Sequence, residues 1–389
     1  MKRQAVERKV VICFASALLC AAGCAAKLSK QGGPAAQIGS DGGVLPDQRS
    51  SVGSPIGRRD GGSLAVDGGT NYRPPGDAGA APDSGSVTPP PVTTGDTFTF
   101  FVTGDPKMSS RYATTIGSMK KLDPNAALVY VSGDLTSNST KSEWDQHMQY
   151  VQQGGQGWLH SEISAPQAGK TMYIMAVGNH DASDSAWLSN LNTVFPNLKS
   201  LGPNSESGVF TALRYKNALF IGLDSEHPSQ AQVTWLKDTL EKYKNDSSLV
   251  WRFVFYHHPV YPCGGGKSPF DEGVNWVRLF EQYKVNIVFE GHTHYYTATK
   301  PLLGGKAVSS GGVRFVNASA GGSSSRSVDT SVTDKAGGDS YACGDILQDA
   351  QGDWNHYCHA AVTGTQLTFR CFSHDQTSSP KYEYVWSAN

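Results

Sequence analysis

The sequence predicts an α/β domain whose strands are mostly buried. Beyond the first quarter of the chain, short apolar runs that stop at glycine or at a polar cluster alternate with stretches of helical periodicity. An apolar run that ends at glycine is typical of a buried strand entering a loop, and strand–helix alternation is typical of α/β folds. Several runs also end in aspartate or histidine, so the pattern that predicts the fold also indicates where a site would lie.

The first quarter of the chain has the pattern of an export signal. Residues 1–9 are basic, Val10–Ala22 is apolar, and Cys24 follows Ala-Ala-Gly. A basic start, a short apolar run and small residues predict a signal peptide over 1–24, too short to span a membrane. Its end resembles a bacterial lipoprotein box, with Ala21 where that box usually carries leucine. An ordinary signal peptide with an incidental cysteine is the alternative.

Residues 25–94 are rich in glycine, serine, proline and aspartate. Large apolar side chains are too sparse there to offset the entropy of ordering the chain, which predicts a disordered linker before a folded domain over 95–389. We therefore expect an exported protein, either secreted or anchored as a lipoprotein facing the periplasm or cell surface. The net charge of −1 gives no electrostatic footprint for nucleic acid or a membrane surface, so a membrane is expected only through the lipid anchor.

Four cysteines lie in the predicted domain: Cys263, Cys343, Cys358 and Cys371. An even number in an oxidising compartment predicts two disulfides, with three possible pairings among which the sequence does not choose. A cysteine-based zinc site is not supported, because the expected Cys-x-x-Cys spacing does not occur.

The apolar runs are interpreted as strands, in the order Thr97–Val102, Ala126–Val131, Thr171–Val177, Val209–Tyr215, Ala218–Leu223, Val250–Tyr256, Val285–Phe289 and Val313–Gly322. A helix is predicted from about Ser110, and the capping residues Thr140 and Ser229 begin two more. A fourth helix surrounds Trp276. The rest of the chain to Asn389 is predicted as loops and short strands.

Five of these strands end in side chains that can bind metal, namely Asp105; Asp134; Asn179, His180 and Asp181; His257; and His292 with His294. Ligands of open α/β sheets bind beyond the carboxyl ends of the strands, so we expect these side chains to meet in one cleft. Carboxylates, a carboxamide and imidazoles together suit Mn, Fe or Zn better than Ca or Mg alone. Two metals roughly 3.5–4 Å apart that share a carboxylate could hold a bridging hydroxide for attack at phosphorus.

The motifs also stand in a familiar order: Gly104-Asp, Gly133-Asp-Leu-Thr, Gly178-Asn-His-Asp, His257-His-Pro and Gly291-His-Thr-His. Over roughly Phe98–Gly322 the chain resembles the calcineurin-like metallophosphoesterases, which include the purple acid phosphatases. The resemblance implies a four-layer αββα sandwich, here preceded by the linker. It also implies hydrolysis of phosphoric esters with two divalent or trivalent metal ions, Fe, Mn or Zn.

The same resemblance implies a role for each ligand. Asp134 would bridge the metals, with Asp105 and His294 on the first and with Asn179, His257 and His292 on the second. His257 is preferred to His258 because the family's ligand stands two residues before the proline.

The resemblance further implies residues that act on substrate. His180 would contact the phosphate and protonate the leaving oxygen, with Asp181 orienting its ring. His258 would support a ligand, line the cleft or contact substrate. Tyr296 would contact substrate or, equally, pack in the core.

Two residues depart from the family pattern. Lys107 stands where most members carry the histidine of Asp-x-His, and Ser137 stands where the iron-dependent purple members carry tyrosine. The first metal therefore lacks a ligand. Water fills the vacancy, the first site is weak or empty, or the Lys107 ammonium meets the substrate phosphate; a Lys107 that points to the surface is the plain alternative. Without the tyrosine we expect a colourless protein.

The sequence thus predicts a metal-dependent phosphoesterase that acts on small phosphorylated substrates, monoesters or diesters, through a metal-bridging hydroxide. We expect a monomer. One alternative is a non-catalytic cell-surface binding protein on the same scaffold, favoured by Lys107 and Ser137. Another is a nucleotide or cyclic-nucleotide phosphodiesterase, for which Trp276 or Tyr261 could supply an aromatic clamp.

Overall fold

Two seven-stranded mixed sheets form the framework of the protein in a computed structural model that describes residues 97–264 and 266–388. The strands are β1 (Thr97–Thr103), β2 (Leu128–Val131), β3 (Leu159–His160), β4 (Thr171–Met175), β5 (Asn204–Ser205), β6 (Gly208–Val209), β7 (Thr211–Tyr215), β8 (Ala218–Gly222), β9 (Trp251–Phe255), β10 (Ile287–Glu290), β11 (Tyr296–Thr299), β12 (Leu302–Leu303), β13 (Lys306–Ala307), β14 (Arg314–Ala318), β15 (Thr333–Ala336), β16 (Asp339–Ala342), β17 (Leu347–Gln351), β18 (His356–Thr363), β19 (Gln366–Ser373) and β20 (Tyr382–Ser387). The helices are α1 (Arg111–Leu122), α2 (Lys141–Gly155), α3 (Trp187–Val194), α4 (Leu198–Leu201), α5 (Gln230–Lys242), α6 (Val274–Gln282) and α7 (Cys343–Ile346). The predicted signal peptide and linker lie outside the described residues.

Each sheet combines a parallel half with antiparallel strands. The first sheet has the order β20-β19-β18-β1-β2-β4-β3, in which β1, β2, β4 and β3 are parallel. The second has the order β17-β11-β14-β10-β9-β8-β7, in which β14, β10, β9 and β8 are parallel. The parallel strands are buried on both faces, which explains why their sequences are continuous apolar runs.

The two sheets pack face to face through phenylalanine rings. The ring of Phe100 on β1 lies 5.1 Å from that of Phe253 on β9 and 6.3 Å from that of Phe289 on β10. Helices α1 and α2 cover the outer face of the first sheet, and α5 and α6 cover the outer face of the second, each with buried apolar side chains. The predicted four-layer αββα fold is confirmed.

The predicted helix caps are present. The backbone N–H of Glu143 donates to the Thr140 hydroxyl at the start of α2, and that of Gln232 donates to the Ser229 hydroxyl at the start of α5. Each cap satisfies one of the amides that a helix leaves unpaired at its N-terminus.

Two predicted segments differ from the structure. The run Val209–Tyr215 is divided at Phe210 into β6 and β7. The C-terminal part is not merely loops and short strands, since β18 and β19 have eight residues each and join β20 in the first sheet. In β18, the buried His356 and His359 interrupt the apolar pattern, which hides the strand from a reading of hydrophobicity.

Two disulfides select one of the three pairings that the sequence left open. Cys263 is bonded to Cys343, and Cys358 on β18 is bonded to Cys371 on β19. Among the helices of the described residues, none combines the length and the apolar character that crossing a membrane requires.

Candidate metal centre

The carboxyl ends of five parallel strands from both sheets meet at one place. Asp105 follows β1, Asp134 follows β2, Asn179 follows β4, His257 follows β9 and His292 follows β10. Glycines allow the close approach of these ends. A Cβ at Gly133 would lie 2.7 Å from His257 Nδ1, and a Cβ at Gly291 would lie 2.3 Å from the Ser132 carbonyl oxygen.

The backbone at these strand ends is held in an unusual conformation. Asp105, Lys107, Asp134, His292 and His294 all have positive φ, between 43° and 73°. They are half of the ten non-glycine residues with positive φ in the described chain. Such conformations are disfavoured for L-residues and persist where the surrounding structure enforces them, often at functional sites.

The donor atoms form two groups that share Asp134. In the first position, Asp105 Oδ1 lies 3.2 Å from His294 Nε2, and the Asp134 carboxylate completes the group. In the second position, His257 Nε2 lies 3.3 Å from Asp134 Oδ1 and 3.2 Å from both Asn179 Oδ1 and His292 Nδ1. The structure therefore brings together all six predicted metal ligands.

Hydrogen bonds fix which nitrogen of two imidazoles faces the cluster. The Nδ1–H of His257 donates to the Ser132 carbonyl at 2.8 Å, and that of His294 donates to the Ser324 carbonyl at 2.9 Å. Each Nε2 then faces carboxylate oxygens, as it would if both were ligands of a shared cation. Backbone carbonyls orient metal-binding histidines in this way.

The carboxylates of Asp105 and Asp134 also favour a bound cation. Asp105 Oδ1 and Asp134 Oδ2 are buried oxygens without a hydrogen-bond donor among the described residues. A buried carboxylate is costly unless it is paired or coordinates a metal. The residues present therefore fit bound cations, and the donor set suits a metal ion.

The pKa values of Asp134 and His257 also indicate a site that stabilises positive charge. Burial raises the pKa of the Asp134 carboxyl, but His257 and Lys107 outweigh it and hold that pKa well below its usual range. Burial lowers the pKa of the His257 imidazole, but the carboxylates of Asp134 and Asp105 outweigh it and raise that pKa to about 10. The carboxylate environment stabilises positive charge at His257.

Lys107 points into the cluster rather than to the surface. Its Nζ lies 3.4 Å from Asp134 Oδ2, and its side chain is 20% exposed. Its backbone N–H donates to the carbonyl of Asp134 at 2.9 Å, which fixes the start of the side chain. An ammonium with no lone pair cannot replace the histidine as a ligand.

His180 lies beside the cluster, but Asp181 does not orient its ring. His180 Nε2 lies 4.0 Å from Asp134 Oδ2, and its Nδ1–H donates to the Ser137 carbonyl at 2.6 Å. Asp181 is buried and accepts instead from the backbone amides of Leu135, Thr136 and Gly178. Its carboxylate therefore joins the ends of β2 and β4 and leaves the ring of His180 to Ser137.

The remaining predicted contacts divide between cleft and core. The ring of His258 stacks on His292 with centroids 4.1 Å apart, and its Nε2 lies 3.1 Å from Glu226 Oε1. Tyr296 is completely buried, with its hydroxyl 3.4 Å from that of Tyr384, so its position is that of a core residue. A substrate contact for Tyr296 does not agree with this position.

The aromatic residues suggested for a clamp are also in the core. Trp276 packs on Tyr256, and Tyr261 packs on Phe315. Both are buried. The sequence could not place them, because their partners lie on different strands.

Two residues that support the centre were not predicted from the sequence. Glu290 Oε1 accepts from the Tyr256 hydroxyl at 2.9 Å and from the Val260 amide at 3.0 Å, and so links β10 to the loop that carries His257. Asn317 on β14 donates to the Gly291 carbonyl at 2.7 Å and accepts from Thr293 at the same distance. The signal for both was a polar residue inside an apolar run.

The basic lining beside the first position was not predicted from the sequence either. Lys107, Arg111 and Arg326 border an open cleft of about 700 Å³ that His294 also borders. Arg326 is fixed by its backbone N–H, which donates to the His294 carbonyl at 2.8 Å. Burial and the nearby charge of Arg326 lower the pKa of Lys267. Within the described chain, neither Arg326 nor Lys267 forms an ion pair with a carboxylate.

Comparison with known proteins agrees with this geometry. Residues 98–296 match the family profile described as calcineurin-like phosphoesterase. Purple acid phosphatase 5 of Arabidopsis thaliana is 26% identical over 222 residues, which cover 54% of this chain and 47% of that protein. The phosphoenolpyruvate phosphatase of Allium cepa is 26% identical over 229 residues, with 54% and 43% coverage. The chain thus spans about half the length of the curated relatives it matches.

Solved structures share the fold. A purple acid phosphatase from yellow lupin (Lupinus luteus) seeds superposes with a TM-score of 0.52 and 16% identity, covering 76% of this chain and 54% of that one. GAP50, described as the anchor in the inner membrane complex of Plasmodium, superposes with a TM-score of 0.52 and 12% identity, covering 76% and 90%. At these identities the likeness supports the fold alone.

Proposed function

This chain belongs to the calcineurin-like phosphoesterase family, and we propose that it is a metal-dependent phosphoric ester hydrolase. The observation that supports the proposal most is the shared carboxylate of Asp134, which stands between two sets of buried or half-buried donor residues. Metal ions bound there would supply an activated water and neutralise charge on a phosphate.

Different residues of this chain would serve the two metal positions. Asn179, His257 and His292 would hold an ion together with Asp134, and Asp105 and His294 would face the first position. The backbone carbonyls of Ser132 and Ser324 keep the imidazoles of His257 and His294 turned so that each Nε2 faces the cluster of donor atoms. No covalent bond between the protein and the phosphate is required.

His180 is placed to serve the leaving group. Its Nδ1–H is held by the Ser137 carbonyl, so its Nε2 is directed at the cleft beside Asp134. In the protonated form, that Nε2 would donate a proton to the leaving oxygen. General acid catalysis of this kind is typically worth about 10²–10⁴ in rate.

The basic lining indicates an anionic substrate. Lys107, Arg111 and Arg326 border the cleft next to the metal centre, and guanidinium groups match phosphate oxygens in geometry. We propose a small phosphorylated substrate, a monoester or a diester. A nucleotide diester is less well supported, since Trp276 and Tyr261 are buried in the core.

The test is hydrolysis of p-nitrophenyl phosphate and of its bis-ester by the purified full chain. The protein is stripped with a chelator and then titrated with Mn, Zn or Fe. We expect turnover that returns with metal and is lost in Asp134→Asn, whose carboxamide keeps the size of the side chain. The preferred ester would define the substrate class. No turnover with any of the three metals, from folded protein, would contradict the proposal.

A non-catalytic binding protein on the same scaffold is the second candidate. The Lys107 ammonium, 3.4 Å from Asp134 Oδ2, favours it, because it stands where the family has a metal ligand. A folded, metal-loaded protein that binds phosphate esters without turnover would support this candidate.

The location of the protein is proposed from the N-terminal sequence. The basic start, the apolar run Val10–Ala22 and Cys24 support an exported lipoprotein on a long linker. Membrane fractionation of cells that produce the chain, compared with Cys24→Ser, tests the anchor. We expect the variant to leave the membrane fraction, and an unchanged distribution would contradict the anchor.

A further inference from the structure

The chain places a cation of its own beside the first position. Lys107 Nζ lies 3.4 Å from Asp134 Oδ2, the oxygen on the side of the shared carboxylate that faces away from His257. Among the described residues, Asp134 is the one carboxylate within ion-pair distance of Lys107. That oxygen accepts no hydrogen bond from the described residues.

The position of Lys107 is built into the backbone. Its φ of 43° is in the left-handed region, and its N–H donates to the Asp134 carbonyl at 2.9 Å. The side chain is mostly enclosed and borders the cleft together with His294. The backbone of Lys107 is fixed and its side chain is mostly enclosed. Its ion pair therefore costs less conformational entropy than an ion pair of an exposed surface lysine.

An ammonium and a metal ion compete for the same carboxylate. Both are positive, and two charges a few Å apart repel strongly where solvent is largely excluded. The ammonium also lacks a lone pair, so it removes a ligand from the first position while adding charge to it. The second position differs, because its other donors are the uncharged Asn179, His257 and His292.

We propose that the Lys107 ammonium takes the place of the first metal ion, so that this protein holds a single tightly bound metal, at the second position. Lys107 neutralises the outer oxygen of Asp134 and, in the complex with substrate, donates hydrogen bonds to a non-bridging phosphate oxygen. The contact with phosphate rests on the proposed function. The number of metal ions does not.

The test counts metal ions in the absence of substrate. The wild-type chain, Lys107→His and Lys107→Met are stripped, loaded with Zn or Mn, and freed of excess metal. Metal content is measured by mass spectrometry and affinity by titration calorimetry. Lys107→His supplies the ligand typical of the family, whereas Lys107→Met removes the charge without adding a strong ligand. Lys267→Met is the matched control, because Lys267 carries a nearby charge but forms no ion pair with Asp134 among the described residues.

We expect one metal per chain for the wild type and for Lys267→Met, and two for Lys107→His. In Lys107→Met the second ion should bind about 100-fold more tightly than it does in the wild type, as removal of a close like charge predicts. Circular dichroism of each metal-free variant checks the fold. Lys107→Met tests the proposal even if Lys107→His fails to fold.

Several results would overturn the proposal. Two tightly bound metal ions in the wild type would show that Lys107 does not exclude the first ion. If the wild type bound no metal ion tightly, the second position would not be the tight site that we propose. A count that stays at one in both Lys107 variants would show that the ammonium is not the cause. Since no substrate is present, failure of the proposed hydrolysis would leave these readings unchanged, so the two failures are distinguishable.

Discussion

The two candidate metal positions lie at one cluster of strand ends and share Asp134, but their charges are balanced differently. The second position adds only uncharged donors, Asn179, His257 and His292, to that carboxylate. The first position adds a second carboxylate, Asp105, and has the Lys107 ammonium 3.4 Å from the shared residue. The difference teaches that donor atoms alone do not define a metal site. If the proposal for Lys107 holds, buried oxygen and nitrogen donors are neutralised by a cation of the chain itself.

The largest expected effect contrasts one histidine from each position. In His257→Ala the bound metal should be lost, and turnover should fall by about 10³-fold or more, because the ion supplies most of the charge stabilisation. In His294→Ala the metal should be retained, and turnover should fall only about tenfold. Metal content and turnover are measured on the same preparations, with circular dichroism as the control for folding. Equal losses of metal and of turnover in the two variants would contradict the proposed difference between the two positions.

An intermediate effect is expected at His180, which faces Asp134 without belonging to either position. His180→Ala should lower turnover of an ester with a poor leaving group by about 10²–10³-fold and leave metal content unchanged. An ester with a good leaving group needs less protonation and should be affected less. His180→Asn tests whether a hydrogen bond alone restores part of the rate. A fall in metal content would instead assign His180 to the metal centre.

The smallest expected effect concerns His147, a histidine outside the metal centre whose pKa is set mainly by burial. Burial lowers the pKa of His147 on α2 to about 3, from an ordinary value of 6.5. Between these values the unfolded chain binds a proton that the folded chain does not, so the free energy of unfolding falls as the pH drops below 6.5. From pH 7.5 to 5.5, wild type should lose about 1.4 kcal/mol more than His147→Gln does.

Urea unfolding of the metal-free proteins at both pH values measures this difference. The glutamine keeps a polar group opposite the Tyr173 hydroxyl, to which His147 Nε2 is now bonded at 2.9 Å. A variant with the same pH dependence as the wild type would mean that the burial of His147 is not its source.

The strand ends could be predicted because the information is local. Each buried strand, its glycine and its polar residue lie within a few positions of one another, as in Val131-Ser-Gly-Asp134. The order of these motifs then led to the family, the four-layer fold and the six donor residues that the structure brings together. Lys107 was recognised as a departure from the family motif for the same reason. That its side chain points towards Asp134 could not be predicted.

What could not be predicted depends on contacts between distant segments. β18 pairs with β1, which lies far earlier in the chain, and its two buried histidines conceal its apolar character. The hydrogen bond from His180 to the Ser137 carbonyl involves backbone, which leaves no trace in residue types. Asp181 follows His180 directly, but its side chain turns to the end of β2. The burial of Tyr296 likewise depends on Tyr382 and Tyr384 of the last strand.

The left-handed backbone at the strand ends has a consequence for laboratory evolution. A non-glycine residue in that conformation costs about 1 kcal/mol relative to glycine, and Asp105, Asp134 and His292 are three of the five at this centre. A glycine at one of these positions would relieve the strain and remove a donor atom in the same step. Selection for heat resistance alone would therefore favour variants whose centre is dismantled. A library screened for durability should be assayed for turnover in every round.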